Sequence, residues 1–320
     1  MQSIALAIDL GGTNIKAGLV DCNGNLLGDC LVNTGADLRA EVVADRIAQV
    51  IFDLSQKAKE RNFRPLGVGI GVPGAVYEDR ATVSQAPNFP QWRDAPIKSL
   101  MEQRIDLPVL LDNDANLAAL GESWTGAGRD AKSMILFTLG TGIGGGIILD
   151  GKIWRGAWGM AGEIGHITIE PDGPACGCGN AGCLEALAAK NAVIKNAALL
   201  VTQGKAPILK ELVKGDIDAV VPEIIFQAAK SGCQASQGVF EKMGKDIGIA
   251  CASLLNVLCV EKFVLGGGMC GAYEFFIESL KSEIQRRAYR IPAERVRVEK
   301  ARLGNTAGLL GAGKMIMDLL

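Results

Sequence analysis

The chain has 320 residues, a length that predicts about two domains of ordinary size. Hydrophobic residues make up 48% and charged residues 21%, a balance typical of a folded globular protein and not of a disordered one. The 33 lysines and arginines nearly match the 35 aspartates and glutamates, for a net charge of -2. With neither sign in excess, we expect no nucleic-acid partner and no attraction to an anionic membrane.

Cysteine content and the N-terminus both predict a cytoplasmic protein. Nine cysteines are an odd number, which an extracellular disulfide framework would not favour, so we expect a reducing compartment. The N-terminus has no basic segment followed by an apolar core, so no secretory signal is predicted. The two longest uncharged stretches, 134–149 and 247–260, are shorter than the roughly 20 residues that span a bilayer. No membrane span is predicted.

The first part of the chain mixes strand and helix signals, which predicts an α/β unit. Leu117, Leu120 and Trp124 share one face of a helix that follows Asp112. The predicted strands are 4–8, 15–20, 26–32, 66–72 and 109–111, and a helical pattern covers 38–63.

The second part is mainly helical and predicts a further α/β domain with helical additions. The predicted helices are 188–203, 208–213, 220–230, 239–258 and a glycine-punctuated 306–320, with a strand over 262–265.

A short segment of the sequence occurs twice. Residues 9–21 align without a gap on residues 138–150, and each copy reads as strand, glycine turn, strand. Glycine, leucine and isoleucine are common, so a match of this length can arise by chance. Two similar α/β halves, each with a glycine hairpin facing a shared cleft, would explain both the repeat and the length.

The glycine hairpins are candidate phosphate sites, because successive backbone N–H groups bind phosphate and only glycine permits the close approach. Plain tight turns are an equally good interpretation of either hairpin alone. The spacing Gly-x-Gly-x-x-Gly occurs at 69–74 and 140–145, but no predicted helix follows either one, which argues against a dinucleotide fingerprint. No Walker A loop is present.

The only histidine in the chain, His166, precedes three closely spaced cysteines, Cys176, Cys178 and Cys183. Three thiolates and one imidazole complete a tetrahedral zinc shell, and closed shells are structural. Disulfides or ordinary buried cysteines are the alternatives, and the density of ligands together with the reducing context favours zinc over both. The other six cysteines lie apart from one another and are expected to be structural.

Asp114 has two interpretations that the residues leave open. An aspartate at this position is a good helix N-cap. A carboxylate beside nucleotide phosphates can also accept a proton from an attacking hydroxyl group.

Taken together, these motifs resemble the ROK family of sugar kinases and repressors over nearly the whole chain. In order, the matching segments are Asp9-Leu-Gly-Gly-Thr13, Gly71-Val-Pro-Gly74, Ala86-Pro-Asn-Phe-Pro90, Leu111-Asp-Asn-Asp114, Leu139-Gly-Thr-Gly-Ile-Gly-Gly-Gly146, Glu163-Ile-Gly-His166, the segment 176–185 and Leu265-Gly-Gly-Gly268.

The resemblance implies an α/β protein with the actin-like ATPase (ribonuclease H-like) fold, in which two α/β domains surround a cleft. The smaller domain would comprise 1–114 and 304–320, and the larger domain, with the zinc loop, 115–303. It also implies that Asp114 is the general base. The nucleotide and Mg²⁺ would be bound by Asp9, Gly11, Gly12, Thr13, Gly140, Thr141, Gly142, Gly144, Gly145, Gly266, Gly267 and Gly268. The sugar would be bound by Gly74, Asn88, Asn113, Asp114, Glu163, His166 and Glu185, and structural Zn²⁺ by His166, Cys176, Cys178 and Cys183.

We therefore expect ATP-dependent phosphorylation of a hexose at its 6-hydroxyl. Glucose leads because the segment 163–166 and the spacer 171–174 resemble the glucokinase branch. Mannose, N-acetylmannosamine and N-acetylglucosamine remain alternative substrates, polyphosphate an alternative donor, and a non-catalytic sugar sensor an alternative function. Only eight residues precede Asp9, so we expect no DNA-binding domain of the kind that repressors of the family carry there. The family also suggests a homodimer.

Overall fold

A computed structural model describes residues 1–86 and 88–319. Pro87, part of the motif at 86–90, and Leu320, the end of the last predicted helix, lie outside the described residues. The chain divides into two compact units. The first comprises 1–136, 146–162 and 301–320, and the second 137–145 and 163–300.

In chain order the elements of the first half are β1 (Gln2–Leu10), β2 (Asn14–Asp21), β3 (Leu26–Asn33), α1 (Ala40–Glu60), β4 (Phe63–Val72), β5 (Ala75–Val76), β6 (Val83–Gln85), β7 (Arg93–Ala95), α2 (Ile97–Glu102), β8 (Val109–Asn113), α3 (Asp114–Trp124), β9 (Met134–Leu139), β10 (Ile143–Leu149) and β11 (Lys152–Ile153). There follow α4 (Leu184–Ala188), α5 (Lys190–Thr202), α6 (Pro207–Leu212), α7 (Pro222–Lys230), α8 (Gln234–Leu258), β12 (Lys262–Gly266), α9 (Tyr273–Arg287), α10 (Arg290–Arg295), β13 (Arg297–Lys300) and α11 (Ala307–Met317).

The two five-stranded sheets have the same topology. The first has strand order β3-β2-β1-β4-β8, and the second has β11-β10-β9-β12-β13. In the first sheet β1 pairs antiparallel with β2 and parallel with β4. The glycine hairpin of the repeated segment joins β1 to β2 in one sheet and β9 to β10 in the other. The repeat seen in the sequence is therefore a structural repeat, because equivalent strands occupy equivalent places.

Apolar runs explain which strands are central. In β1, the residues from Ile4 to Ala7 are fully buried on both faces, as expected for a strand paired on both edges in a covered sheet. Helix α1 buries Val43, Ile47 and Ile51, the apolar stripe that predicted it. These side chains belong to one core with the strands of the first sheet.

The unit boundaries differ from the division expected at 114/115. Helix α3 belongs to the first unit because it packs tightly against α11. A Cβ added to Gly311 would lie 1.8 Å from the Leu117 carbonyl oxygen, so only glycine permits this approach. Residues 146–162 also belong to the first unit.

Most predicted helices and strands are confirmed, including α1, α5 to α8 and α11. The sequence analysis made no prediction for α2, α4, α9, α10, β11 or β13, nor for the small sheet β5-β6-β7. Within the described part of the chain, no helix is both long and apolar enough to cross a membrane.

Candidate active site

Hydrogen bonds to backbone carbonyls fix the conformation of the first glycine hairpin. Gly11 N–H donates to the Asn14 carbonyl at 3.0 Å. The buried Thr34 donates its hydroxyl to the Gly11 carbonyl at 2.7 Å, and its N–H donates to the Thr13 carbonyl at 2.9 Å. Gly12 and Thr13 remain accessible at the tip. Sequence reasoning missed Thr34, because a single threonine after β3 carries no recognisable signal.

Asp9 lies at the base of this hairpin beside Lys16. The Lys16 Nζ is 3.5 Å from Asp9 Oδ2, and Gly308 of α11 packs against the same carboxylate. Burial raises the pKa of Asp9, and the nearby Lys16 opposes the shift. A carboxylate and a cation beside open backbone N–H groups form a set that suits Mg²⁺ and phosphate. Lys16 was not among the expected site residues.

The expected base, Asp114, lies where β8 ends and α3 begins. Asn113, not Asp114, is the N-cap of α3, because its side-chain Oδ1 accepts the N–H groups of Ala115 at 2.9 Å and Asn116 at 3.1 Å. The interpretation of Asp114 as the N-cap is therefore wrong, because the preceding residue caps the helix. Asp114 is the first helical residue, and its Oδ1 also accepts the Ala115 N–H at 2.8 Å.

Gly74 and Asn88 are two further candidates for binding the sugar. Asn113 Nδ2 donates to the Gly74 carbonyl at 3.0 Å, so these two residues meet as expected. Gly74 has φ +92°, and a Cβ there would lie 1.9 Å from the Gln85 carbonyl oxygen, so no other residue fits. A Cβ on Gly12 would lie 2.8 Å from Asn88 Cβ, which places Asn88 beside the first glycine hairpin.

The second glycine loop, 140–145, is organised by Glu185. Ile143 N–H donates to Glu185 Oε2 at 2.9 Å, and a Cβ on Gly142 would lie 2.4 Å from that oxygen. The Gly140 carbonyl accepts the Lys190 N–H at 3.0 Å, yet a Cβ on Gly140 would meet no described atom within 4 Å. Glu185, expected to bind sugar, thus also shapes the loop.

The third glycine segment, 266–268, lies beside the end of β9. Gly267 has φ +89°, and a Cβ there would lie 2.3 Å from the Leu139 carbonyl oxygen. A Cβ on Gly268 would meet nothing within 4 Å. Gly140 directly follows Leu139, so the second and third glycine segments are neighbours in the second unit.

The predicted metal ligands form one cluster. The ligand atoms of His166, Cys176, Cys178 and Cys183 all lie within 4.8 Å of one another. Cys178 Sγ and Cys183 Sγ are 3.7 Å apart, and Cys176 Sγ is 3.7 Å from His166 Nδ1. These distances fit zinc, because a tetrahedral site with Zn–S bonds of about 2.3 Å separates its sulfurs by about 3.8 Å. Burial raises the pKa of the Cys183 thiol to about 12.

The disulfide alternative is not supported, because all nine cysteines are free thiols. Cys233, Cys251 and Cys270 are buried as expected, whereas Cys22 and Cys259 are exposed and Cys30 is partly buried.

His166 connects the metal cluster to the sugar candidates. Its Nδ1 faces Cys176, while its Nε2 lies 4.0 Å from Glu163 Oε2. Both residues belong to a segment that packs closely on β10, since a Cβ on Gly165 would lie 2.1 Å from the Ile143 carbonyl oxygen. One ring nitrogen therefore faces the thiols and the other faces an exposed carboxylate.

The site candidates thus form two sets, one in each unit. The first unit holds Asp9, Gly11, Gly12, Thr13, Gly74, Asn88, Asn113 and Asp114. The second holds Gly140, Thr141, Gly142, Gly144, Gly145, Glu163, His166, Glu185, the three ligand cysteines and the glycines 266–268.

Comparison with known proteins identifies the family. The ROK family model matches residues 5–318. The chain belongs to the ROK family. It is 36% identical to a glucokinase of Halalkalibacterium halodurans over 97% of this chain and 94% of the relative. It is 34% identical to a xylose repressor of Caldicellulosiruptor bescii, over 98% of this chain and 78% of the repressor.

A solved ROK glucokinase of Streptomyces griseus, in complex with glucose and AMPPNP, superimposes with a TM-score of 0.80 at 35% identity. The match covers 99% of this chain and all of that one. The ROK member described here accordingly has the actin-like ATPase fold that the sequence predicts.

Proposed function

We propose that this ROK protein phosphorylates glucose at the 6-hydroxyl with ATP as the donor. The observation that carries the proposal is the position of Asp114, next to the cap of α3 and in the same unit as the Asp9 hairpin. A hydroxyl nucleophile needs a carboxylate base and a phosphate-binding loop, and the first unit holds a candidate for each. Glucokinase relatives that match over nearly their full length support the choice of reaction and sugar.

In the proposed reaction the glucose 6-oxygen forms a bond to the γ-phosphorus as the bond from that phosphorus to the ADP oxygen breaks. The Asp114 carboxylate accepts the hydroxyl proton. The backbone N–H groups of Gly12, Thr13, Thr141 and Gly142 would donate to phosphate oxygens, which spreads the charge that the transfer moves. Bound Mg²⁺ would neutralise phosphate charge, and Asp9 would hold it.

Besides Asp114, six residues are candidates for binding the sugar. We propose that the side chains of Asn113, Glu163, His166 and Glu185 form hydrogen bonds with sugar hydroxyls, and that Gly74 and Asn88 also contribute to sugar binding. His166 Nε2 is suited to this role because Nδ1 faces the thiol cluster. A metal on Nδ1 fixes the ring orientation and its tautomer, so Nε2 carries a proton that it can donate.

Zinc in this proposal is structural. His166, Cys176, Cys178 and Cys183 would hold it, and four protein ligands leave no open position for substrate. Its contribution is to order the loop of residues 168–183, whose strand-like bridges join Thr168 to Cys183 and Ala175 to Ala181.

The repressor relatives make a regulatory sugar sensor the main alternative. A sensor needs sugar binding but has no use for a base beside a phosphate hairpin. Polyphosphate is an alternative donor, since its phosphates could use the same N–H groups. The homodimer is also a proposal, which light scattering at working concentration tests: a monomer would remove it.

The experiment is a panel of acceptors and donors. Coupled ADP release is measured with ATP and Mg²⁺ on glucose, mannose, N-acetylglucosamine and N-acetylmannosamine, with glucose 6-phosphate identified by a specific dehydrogenase. We expect the highest kcat/KM on glucose. A faster N-acetylhexosamine would change the assigned sugar. Product formation from polyphosphate but not from ATP would change the donor. Tight glucose binding with neither donor active would favour the sensor.

A further inference from the structure

A buried carboxylate lies near the end of β8, two residues before Asp114. Asp112, in β8, is 3% exposed. Its Oδ1 accepts the Asn113 backbone N–H at 2.9 Å and the Asn116 side-chain Nδ2 at 3.0 Å. One oxygen thus holds the residue before Asp114 and a residue in the first turn of α3. A movement of this carboxylate would therefore disturb the hydrogen bonds of Asn113, which precedes Asp114, and of Asn116, which follows it.

The other oxygen of Asp112 is held by arginine. Arg155 donates from Nε at 2.7 Å and from a terminal nitrogen at 2.6 Å to Asp112 Oδ2. Arg80 lies farther away, at 3.7 Å. Burial lowers the pKa of Arg80, and the neighbouring Arg155 lowers it further. Two short charge-assisted bonds make Arg155 the principal partner of the buried carboxylate.

Arg155 is itself anchored. It follows β11, its carbonyl accepts the Ala161 N–H at 3.0 Å, and this bond closes the loop of residues 155–161. Within that loop Gly159 lies against the backbone of residues 76–78. The guanidinium therefore projects from a closed loop and not from a free chain segment.

We propose that Arg155 is a positioning residue for phosphoryl transfer: it holds Asp112, and through Asp112 it fixes the place of the base Asp114. This inference rests on the proposed function. Removal of Arg155 leaves a buried carboxylate without its short ion pair, which is costly, so Asp112 must turn or admit water. The Asn113 N–H and the first turn of α3 then lose their fixed acceptor. A shift of about 1 Å in a catalytic group can lower the rate about 100-fold.

The kinetic test compares Arg155→Gln with Arg104→Gln. Arg104 is a matched control because it also makes a 2.6 Å ion pair, with Asp45, elsewhere in the first unit. We expect Arg155→Gln to lower kcat about 10- to 100-fold, with the KM for ATP changed less than about threefold. Arg155→Lys should recover part of the loss, because it restores the charge but not both bonds. Arg104→Gln should match the wild type.

A double variant separates positioning from general damage. If Arg155 acts through the base, Arg155→Gln should cost nothing further in the Asp114→Asn background. Independent, multiplying losses in that background would overturn the proposal, as would equal kinetics for the Arg155→Gln and Arg104→Gln proteins.

A second readout does not need activity. Amide hydrogen exchange over residues 109–117 should be at least about tenfold faster in Arg155→Gln than in Arg104→Gln. If the wild-type protein releases no ADP with any sugar, the proposed function fails. Amide hydrogen exchange then still tests whether Arg155 stabilises the segment 109–117. Unchanged exchange in Arg155→Gln would refute the inference whatever the activity.

Discussion

At the residue scale, Asp9 illustrates a conflict between function and stability. Its burial raises the pKa, which means that folding disfavours the ionised carboxylate. Below its ordinary pKa of 3.8, folded and unfolded chains are both protonated and the group costs nothing. As the pH rises from 3.8 to the raised folded-state pKa, the unfolded chain ionises more readily and the folded state loses stability. Above the folded-state pKa this cost is fully present.

We therefore predict that Asp9→Asn is inactive but more stable than the wild type at pH 7. The stability difference should grow from about pH 4 upward and level off above the folded-state pKa. Urea midpoints of both proteins, measured across this range, check the prediction. A variant that is less stable at pH 7 would show that the Lys16 pair outweighs the burial of Asp9.

Gly140 and Gly142 are only two residues apart but differ in the space available for a side chain. A methyl on Gly140 meets no described atom, whereas one on Gly142 meets Glu185. Gly140→Ala should keep the stability of the wild type and raise the KM for ATP at least about tenfold, because its methyl would occupy the space proposed for the nucleotide. Gly142→Ala should lower the thermal midpoint. An unchanged KM in Gly140→Ala would remove this residue from the nucleotide site.

At the element scale, the helices and strands that the sequence predicts best are those specified by a single local pattern. The apolar stripe of α1 and the buried runs of β1 and β4 specify their elements locally. The Cys₃His cluster was also predictable, because ligand type and spacing define a zinc site. Thr34, Lys16 and Arg155 were not, since their roles depend on contacts between segments distant in sequence. The cap of α3 was misassigned because Asn113 and Asp114 are equally good N-cap residues.

The zinc loop gives a prediction of its own. Protein purified without added zinc should contain about one zinc per chain, and Cys183→Ser should lose it together with most affinity for glucose, because His166 loses its fixed orientation. Cys259→Ser is the matched control, since that thiol is exposed and outside the cluster. Measuring the zinc content of the wild type, Cys183→Ser and Cys259→Ser tests this prediction. Wild-type protein that is active but lacks zinc would contradict the assignment.

Helix α8 supplies a control without any role in the site. Gly238 lies within this helix, is exposed, and has open space where a Cβ would stand. Gly238→Ala should stabilise the protein by about 0.5–1 kcal/mol, because alanine loses less backbone entropy in a helix. Denaturant unfolding measures this, with kcat and KM expected to be unchanged. A loss of stability would mean that this turn of α8 has contacts that the structure does not show.

At the scale of the whole molecule, family membership alone leaves kinase and repressor open, because relatives of both kinds match nearly the entire chain. Ligand-induced stabilisation separates them. Glucose at 100 times its Kd should stabilise the protein by about 2.7 kcal/mol and raise the Tm by roughly 4 °C. Xylose, which has no 6-hydroxymethyl group, should stabilise it much less. A larger shift with xylose than with glucose would favour a regulatory function.

The central claim is that Asp114 takes the proton from the glucose 6-hydroxyl as the γ-phosphoryl group leaves ATP. Its most direct test is glucose-dependent ADP release by the wild-type protein and by Asp114→Asn, measured side by side with the fold of each checked by circular dichroism. General base catalysis contributes about 10²- to 10⁴-fold, so we expect kcat to fall at least 100-fold while glucose still binds. A folded Asp114→Asn protein with wild-type kcat would contradict the account.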